Sequence, residues 1–482
     1  MSKRVNQLLL AALVAASSFV GAAGHGSYLT ILNGDADQRS VVSIKGMNDS
    51  AEDQSCSSIA MRLVYGKTWD SANLAQFFGP NAATSNVTTA KASASASDVA
   101  LNYLTRVASS GAAGTMDDAT ITMNPVSTRM AVGLAYSQDL KNVMEGAWFD
   151  LGLSFARVEN DLKAVIVGGA KDTTTDDLTA LLKGTSFVVG DLDETAPRST
   201  LNAGRILTTK NDSATGVEEV TMRLGYNFVT NDTGSMGGFI SGVVGLGSEP
   251  KLDNVFESVV GHRHLQLGAG VQGTVSLSQT DEHSMSLNLD AKAHYIFSRD
   301  AVRMARLTGL EVLAGNTNYQ QYYLTKDTTA AAAAAWLPAA NALRQTVTVN
   351  PRYSAQLGAQ FVYSNDCTSF DLGYNMEYRA KEDNKLVGSW SDTKYVVAGQ
   401  TASGELPVAT VGTSTAAAIK AANLNWNEDS KILHTVHGGV NYSFCDMANP
   451  MNLGLGGSVS IANDRQAGEG HWSVFAKLGL SF

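Results

Sequence analysis

In the stretch SFDLGYNMEYRAKE, residues 369–382, the apolar side chains of Phe370, Leu372, Tyr374, Met376, Tyr378 and Ala380 alternate without a break with Ser369, Asp371, Gly373, Asn375, Glu377 and Arg379. Successive side chains of an extended strand point to opposite faces, so this segment has one wholly apolar face and one wholly polar face. Few environments serve both faces of such a strand. The pattern recurs: Ile59, Met61, Leu63 and Tyr65 share one face of the run at 58–67, and Val220, Met222, Leu224, Tyr226 and Phe228 share one face of the run at 219–229. Period-two runs also cover 128–137, 147–157, 236–247, 264–277, 285–297, 347–363, 432–444, 450–462 and 471–482. With 369–380 they make twelve, most of them near the ten or so residues that a tilted strand needs to cross a bilayer.

The spacing between the runs falls into two classes that take turns along the chain. The gaps at 138–146, 230–235, 278–283, 364–368 and 445–449 are short, whereas those at 68–127, 158–216, 298–346 and 381–431 are several times longer, with smaller members of the long class at 248–263 and 463–470. An even number of strands with short turns on one rim and long loops on the other is the layout of a transmembrane barrel, and it puts both ends of the barrel on the short-turn side. Aromatic residues support this orientation. Tyr136, Phe149, Tyr226, Phe228, Phe361, Tyr363, Phe370, Tyr442, Phe444 and Phe482 fall at the short-turn ends, and Tyr65, Tyr295, Phe297, Tyr378 and Trp472 at the other. Amphipathic rings favour the headgroup level, so two girdles emerge from a direction assigned on loop length alone.

Composition agrees. Only 17% of the 482 residues are charged, below the roughly 25% of an ordinary soluble domain, and 45 glycines accompany 8 prolines. No internal window offers eighteen uncharged apolar residues, so the chain has no helical span past its N-terminus. A formal charge of −10 excludes nucleic acid as a partner, since that polyanion needs a basic face. At the N-terminus, Lys3 and Arg4 precede LLLAALVAASSFVGAA and a cluster of small residues. This is the pattern of a signal peptide over 1–23, an anchor helix being the alternative, followed by a periplasmic segment over 24–55.

The expected fold is all-β: an antiparallel up-and-down barrel over 56–482, of twelve strands. A rival count is fourteen, should the segments at 27–44 and 303–315 add strands. In hydrocarbon an unpaired backbone group costs several kcal/mol, which forces an exported chain of amphipathic strands to join its first strand to its last. From here the chain resembles Gram-negative outer-membrane β-barrels. The final run, HWSVFAKLGLSF, places Trp472, Val474, Ala476, Leu478, Leu480 and Phe482 on one face and ends on phenylalanine. The resemblance implies an outer-membrane location, contact with outer-membrane lipid, and recognition of the terminal Phe482 by the barrel-assembly machinery. Lys477 stands where such barrels often carry glycine, with Gly479 nearby.

Other motifs have plain readings beside their sharper ones. The run GAGVQG, 268–273, has the glycine spacing of a dinucleotide fingerprint, but it lies inside an alternating run with no helix pattern after it; small residues in a crowded lumen explain it. His434 and His437 point to opposite faces of a strand and cannot share a metal, and His262 and His264 share a face without a third ligand nearby. No histidine sits in a phospholipase-like His-x-Ser-Asn-Gly run, so no catalytic residue, cofactor or metal is assigned. The alanine-rich stretch at 330–343 reads as a short helix that either narrows the lumen or caps the outside. Cys56, Cys367 and Cys445 all fall on the short-turn rim, in an oxidising compartment. Only two strands separate the turns of Cys367 and Cys445, which favours that pair and leaves Cys56 for an intermolecular bond to an envelope neighbour; three unlinked or locally paired thiols are the bland alternative.

The function that follows is a channel for passive diffusion of small hydrophilic solutes. Predicted pore-lining groups are Arg62, Asp150, Arg223, Asp290, Lys292, His294, Arg352, Asp371, Glu377, Arg379, His437 and Lys477. The cations outnumber the carboxylates, which predicts a weak anion preference. The alternative is a structural or adhesive surface protein whose barrel is an anchor beneath long loops.

Overall fold

The computed structural model describes residues 57–69, 119–168, 199–206, 212–280, 282–308, 324–329, 336–397, 417–444, 449–462 and 470–482, with a few short pieces between them. The signal and periplasmic segments expected over 1–55 lie outside the described residues, as do Cys56 and Cys445.

Twelve antiparallel strands close into a barrel. In chain order they are β1 Ser57–Thr68, β2 Val126–Asp139, β3 Ala147–Asp161, β4 Asp212–Asn231, β5 Gly234–Gly245, β6 Leu265–Gln279, β7 His283–Ile296, β8 Arg352–Asn365, β9 Thr368–Arg379, β10 Lys431–Phe444, β11 Met451–Ala462 and β12 His471–Ser481. Each strand pairs with its neighbours in sequence. The seam is closed by β1 against β12, from Ser58 opposite Ser481 to Thr68 opposite His471. At the short-turn rim the Ser57 and Phe482 amides donate to each other's carbonyls, at 3.1 and 3.0 Å. No open edge remains among the barrel strands, so the ladder satisfies its own polar backbone groups, as a bilayer demands.

The alternation resolves into an exposed and a buried face. In β9, Leu372 is 62% exposed and its neighbour Asp371 only 7%. Ile59, Leu134, Met222, Ile240, Val271, Leu289, Leu357, Val440, Leu455 and Val474 form an apolar band around the outside. Aromatic pairs flank it: Tyr65–Trp472, Tyr295–Phe297 and Tyr353–Tyr378 at the long-loop end, Tyr363–Phe370 and Tyr442–Phe444 at the other.

One expectation is corrected and two open alternatives are decided among the described residues. The run at 347–363 is broken: Arg344–Val349 pairs with Arg299–Met304 outside the barrel, and β8 begins only at Arg352, which follows Pro351 and has φ of 68°. A proline cannot donate to a ladder and a left-handed residue reverses the pleat, so the alternation continues in sequence while the strand does not. The fourteen-strand count fails for 303–308, because Arg299–Met304 and Arg306–Leu307 pair with loop strands and not with the wall; residues 27–44 and 309–315 lie outside the described residues. The alanine-rich helix is confined to Ala339–Leu343 among the described residues, and it caps the outside: the Asn341 amide donates to the Thr200 carbonyl at 2.8 Å, and Arg344 pairs with Asp253 at 2.7 Å. Leu201, Ile206, Leu252, Phe256, Ala340 and Leu343 are buried in this outer layer, so the long loops carry apolar packing of their own.

Candidate functional site: the barrel interior and its outer mouth

The inner face begins with what strand alternation puts there. Arg62, Asp150, Asp290, His294, Asp371, Glu377 and Lys477 are all buried. Lys292, Arg223, Arg379 and His437 fall on the same face, less fully covered. Arg352 does not join them; at the left-handed start of β8 it is exposed on the outer rim. Several of the buried charges are paired. Arg223 reaches Asp150 at 2.6 Å, and the Ser137 hydroxyl donates to the same carboxylate at 2.6 Å. Arg379 meets Glu377 at 2.6 Å, and Asp371 has Lys477 at 3.5 Å and His437 at 3.9 Å.

Alternation alone misses two groups of inner residues. Glu218 and Glu219 are adjacent, yet both are buried, at 1% and 3% exposure. The β3–β4 register shifts between Ser154 and Phe155, and the extra residue of this bulge turns consecutive glutamates to one side. Glu218 takes a buried bond from Arg129 at 2.5 Å and one from the Ser154 hydroxyl. With Arg129 and these two glutamates included and Arg352 left out, Arg62, Arg129, Arg223, Lys292, Arg379 and Lys477 face Asp150, Glu218, Glu219, Asp290, Asp371 and Glu377. The expected basic excess is thereby cancelled.

The second missed group is aromatic. Trp148, Phe239 and Phe475 point inward, each about 5% exposed. Trp148 and Phe239 lie 5.9 Å apart, and the Arg223 guanidinium sits 5.5 and 5.3 Å from their centroids. Each ring rests over a glycine of a neighbouring strand: Trp148 over Gly225, Phe239 over Gly270, Phe475 over Gly456. A Cβ at any of these three would run into the ring. Gly268 of the GAGVQG run receives the His294 ring in the same way, so that run serves packing inside a strand.

The connection between β5 and β6 bends inward. Its two arms stay paired, with the Gly247 amide on the His262 carbonyl at 2.9 Å and the Ser248 amide on the Val260 carbonyl at 2.8 Å, while the Leu246 amide donates to the Glu218 carbonyl at 2.9 Å. Val260 packs in a buried cluster with Val64, Ala131, Ala156, Val158 and Phe475 from β1, β2, β3 and β12. Gly261 has φ of 55° and lies against the Glu218 backbone. This loop narrows the barrel.

Beside the loop a cavity of about 120 Å³ opens at the outer mouth, lined by Glu219, His262, His264, His294, Arg303, Glu377 and Arg379 among others. His262 approaches Glu219 at 3.4 Å, and its Nε2 accepts from the Gln266 side-chain amide at 2.8 Å. Burial pushes the His264 imidazole down to about 4, helped by His262, Arg303 and Arg299, and its Nδ1–H donates to the Phe297 carbonyl at 2.9 Å. Burial and the neighbouring Glu428 push the Glu382 carboxyl up. Burial would push Glu428 up as well, but Lys431, Arg303 and Arg379 hold it below the usual carboxylate range. Of the other histidines, His434 sits on the outer face, 2.7 Å from the Tyr374 hydroxyl. Cys367 is disulfide-bonded, and its partner lies outside the described residues.

A closed cylinder with an apolar band, two aromatic girdles and a charged interior has the architecture of a transmembrane β-barrel. No protein-family model and no curated protein matches the chain. Among solved structures it is similar to the translocator domain of the autotransporter NalP from Neisseria meningitidis, at 9% identity over 92% of this chain and 94% of that one with a TM-score of 0.33. It is also similar to the transport unit of the autotransporter AIDA-I from Escherichia coli, at 10% identity over 93% and 98% with a TM-score of 0.32. A third is the KdgM porin, at 9% identity over 76% and 96% with a TM-score of 0.26.

Proposed function

We propose that the barrel is a narrow channel for passive diffusion of small hydrophilic solutes. The observation that carries this reading is the outer cavity: it opens directly onto a wall whose polar and charged groups continue along β7, β8 and β9 toward the short-turn rim. Its mechanism needs no bond chemistry. Loop and lumen side chains set a bore and a field, and solutes cross down their gradient. With inner cations and carboxylates in balance, discrimination between small anions and cations is weak. Liposomes carrying the refolded protein are expected to swell in isotonic arabinose, and bilayers in a salt gradient to give reversal potentials near zero; liposomes that stay impermeable would remove the channel.

The packed outer layer of loops favours a second reading, in which the barrel anchors a surface platform. Swelling separates the two. On the short-turn rim we propose Cys445 as the partner of Cys367, since the Ser443 amide, two residues from Cys445, donates to the Cys367 carbonyl at 2.7 Å. Cys56 is then left for a bond to an envelope neighbour, visible as a reductant-sensitive band in non-reducing electrophoresis. Phe482, exposed at the end of the seam, is proposed as the group read by the assembly machinery.

A further inference from the structure

Alternation alone would turn Arg352 into the lumen, and the structure turns it out. Pro351 and Ser354, on either side of it, line the outer cavity, and Arg352 does not. Its φ of 68° is a backbone conformation that residues other than glycine rarely adopt, and it reverses the pleat at the first residue of β8. The side chain is exposed at the level of the long-loop girdle. Tyr353, the next residue, faces Tyr295 across the β7–β8 ladder, and its ring lies 6.0 Å from that of Tyr378 on β9. The Tyr353 and Tyr378 side chains are hydrogen-bonded to each other, and the Arg352 charge acts on Tyr378.

What sets Arg352 apart is its lack of a partner. Among the described residues every other arginine is engaged, with a carboxylate in most cases, with the Asn427 carbonyl for Arg306 and with the Phe475 ring for Arg62. Exposure does not explain the difference. Arg157 and Arg263 are exposed too, and they have acids at 3.8 and 3.2 Å. The guanidinium of Arg352 meets no acid, carbonyl or ring among the described residues. Lys67 repeats the arrangement at the seam: it shares the outer face of β1 with Tyr65, stands opposite Trp472 in the ladder, and has no acid among the described residues. A cation facing outward between interfacial rings lies at headgroup depth, where the available anions are lipid phosphates. A guanidinium offers phosphate oxygens two parallel N–H bonds, and the neighbouring phenols can add more.

We infer that Arg352, with the Tyr353 and Tyr378 hydroxyls beside it, is a contact site for the phosphate of an anionic lipid in the leaflet on the long-loop side, with Lys67 as a second point on the same girdle. The inference needs a barrel that spans a membrane and is independent of whether that barrel conducts. Native mass spectrometry of the refolded protein, released from detergent micelles that contain phosphatidic acid or phosphatidylcholine, tests it. The variants are Arg352→Gln, Arg352→Lys, Arg352→Gln with Lys67→Gln, and Arg157→Gln as an outward arginine that has its own acid, each checked for folding by its heat-modifiable mobility on gels. Wild type, Arg352→Lys and Arg157→Gln are expected to retain phosphatidic acid several-fold better than phosphatidylcholine. Arg352→Gln is expected to lose much of that preference, and the double variant to lose it entirely. A folded Arg352→Gln protein with the wild-type preference, an equal loss in Arg157→Gln, or a wild type that retains both lipids alike would overturn the site. Displacement of the bound lipid by excess inorganic phosphate would assign the site to free phosphate and overturn the lipid contact.

Discussion

Arg129 and Glu218 have almost no contact with bulk solvent, so neither charge can be removed alone without leaving the other stranded. Breaking a buried pair from one side typically costs about 3–5 kcal/mol, whereas removing both partners is far milder. Arg129→Ala is therefore expected to lower the urea midpoint of the folded barrel in lipid, and Arg129→Ala with Glu218→Gln to recover most of the loss; equal midpoints for single and wild-type proteins would show that the pair is hydrated. At the outer mouth, His264 is held near 4, below its unfolded value of about 6.5, because burial disfavours its charged form. Above pH 6.5 the folded and unfolded states are both neutral there. As pH falls toward 4 the unfolded state takes up the proton first, so His264 lowers stability through that window and no further below it. NMR titration is expected to find this imidazole still neutral at pH 5.5, and His264→Gln to flatten the stability profile between 6.5 and 4. A midpoint near 6.5 would contradict the packing described for the mouth.

At the scale of the element, the β5–β6 loop depends on a conformation that only glycine adopts cheaply. Gly261 combines a left-handed φ with contact against Glu218, so a side chain there meets both backbone strain and a clash. Gly261→Val is expected to free the loop from the Val260 cluster and raise single-channel conductance, with the barrel itself still folded; unchanged conductance would mean that the loop does not narrow the path. Such features also mark where the sequence was legible. All twelve wall strands were visible as period-two runs, because a strand between lipid and a polar lumen must alternate. The break before β8 was not, since the loop strand Arg344–Val349 alternates too and only Pro351 hints at the interruption. The bulge beside Glu218 was equally hidden, for a bulge changes pairing without changing composition. Inward Trp148, Phe239 and Phe475 were missed because alternation marks the inner face by its polar residues, and an apolar ring on that face carries no such mark. Their signal lay on neighbouring strands, in Gly225, Gly270 and Gly456, and it appears only once the register is known.

For the whole molecule, one claim supports the rest: apolar side chains face hydrocarbon around the full circumference, and polar ones face a solvated interior. Strand β9 offers the most direct measurement. Nitroxide labels would be placed one at a time from 370 to 378 in protein whose native cysteines are replaced by serine, reconstituted in lipid, and scored for collision with oxygen and with a water-soluble nickel complex. Oxygen accessibility is expected to peak at the positions of Phe370, Leu372, Tyr374 and Met376 and to dip at Asp371, Gly373 and Asn375, with nickel favouring the latter set. A profile without period two, or one in which the Leu372 position is sealed from oxygen, would contradict the barrel and everything derived from its interior.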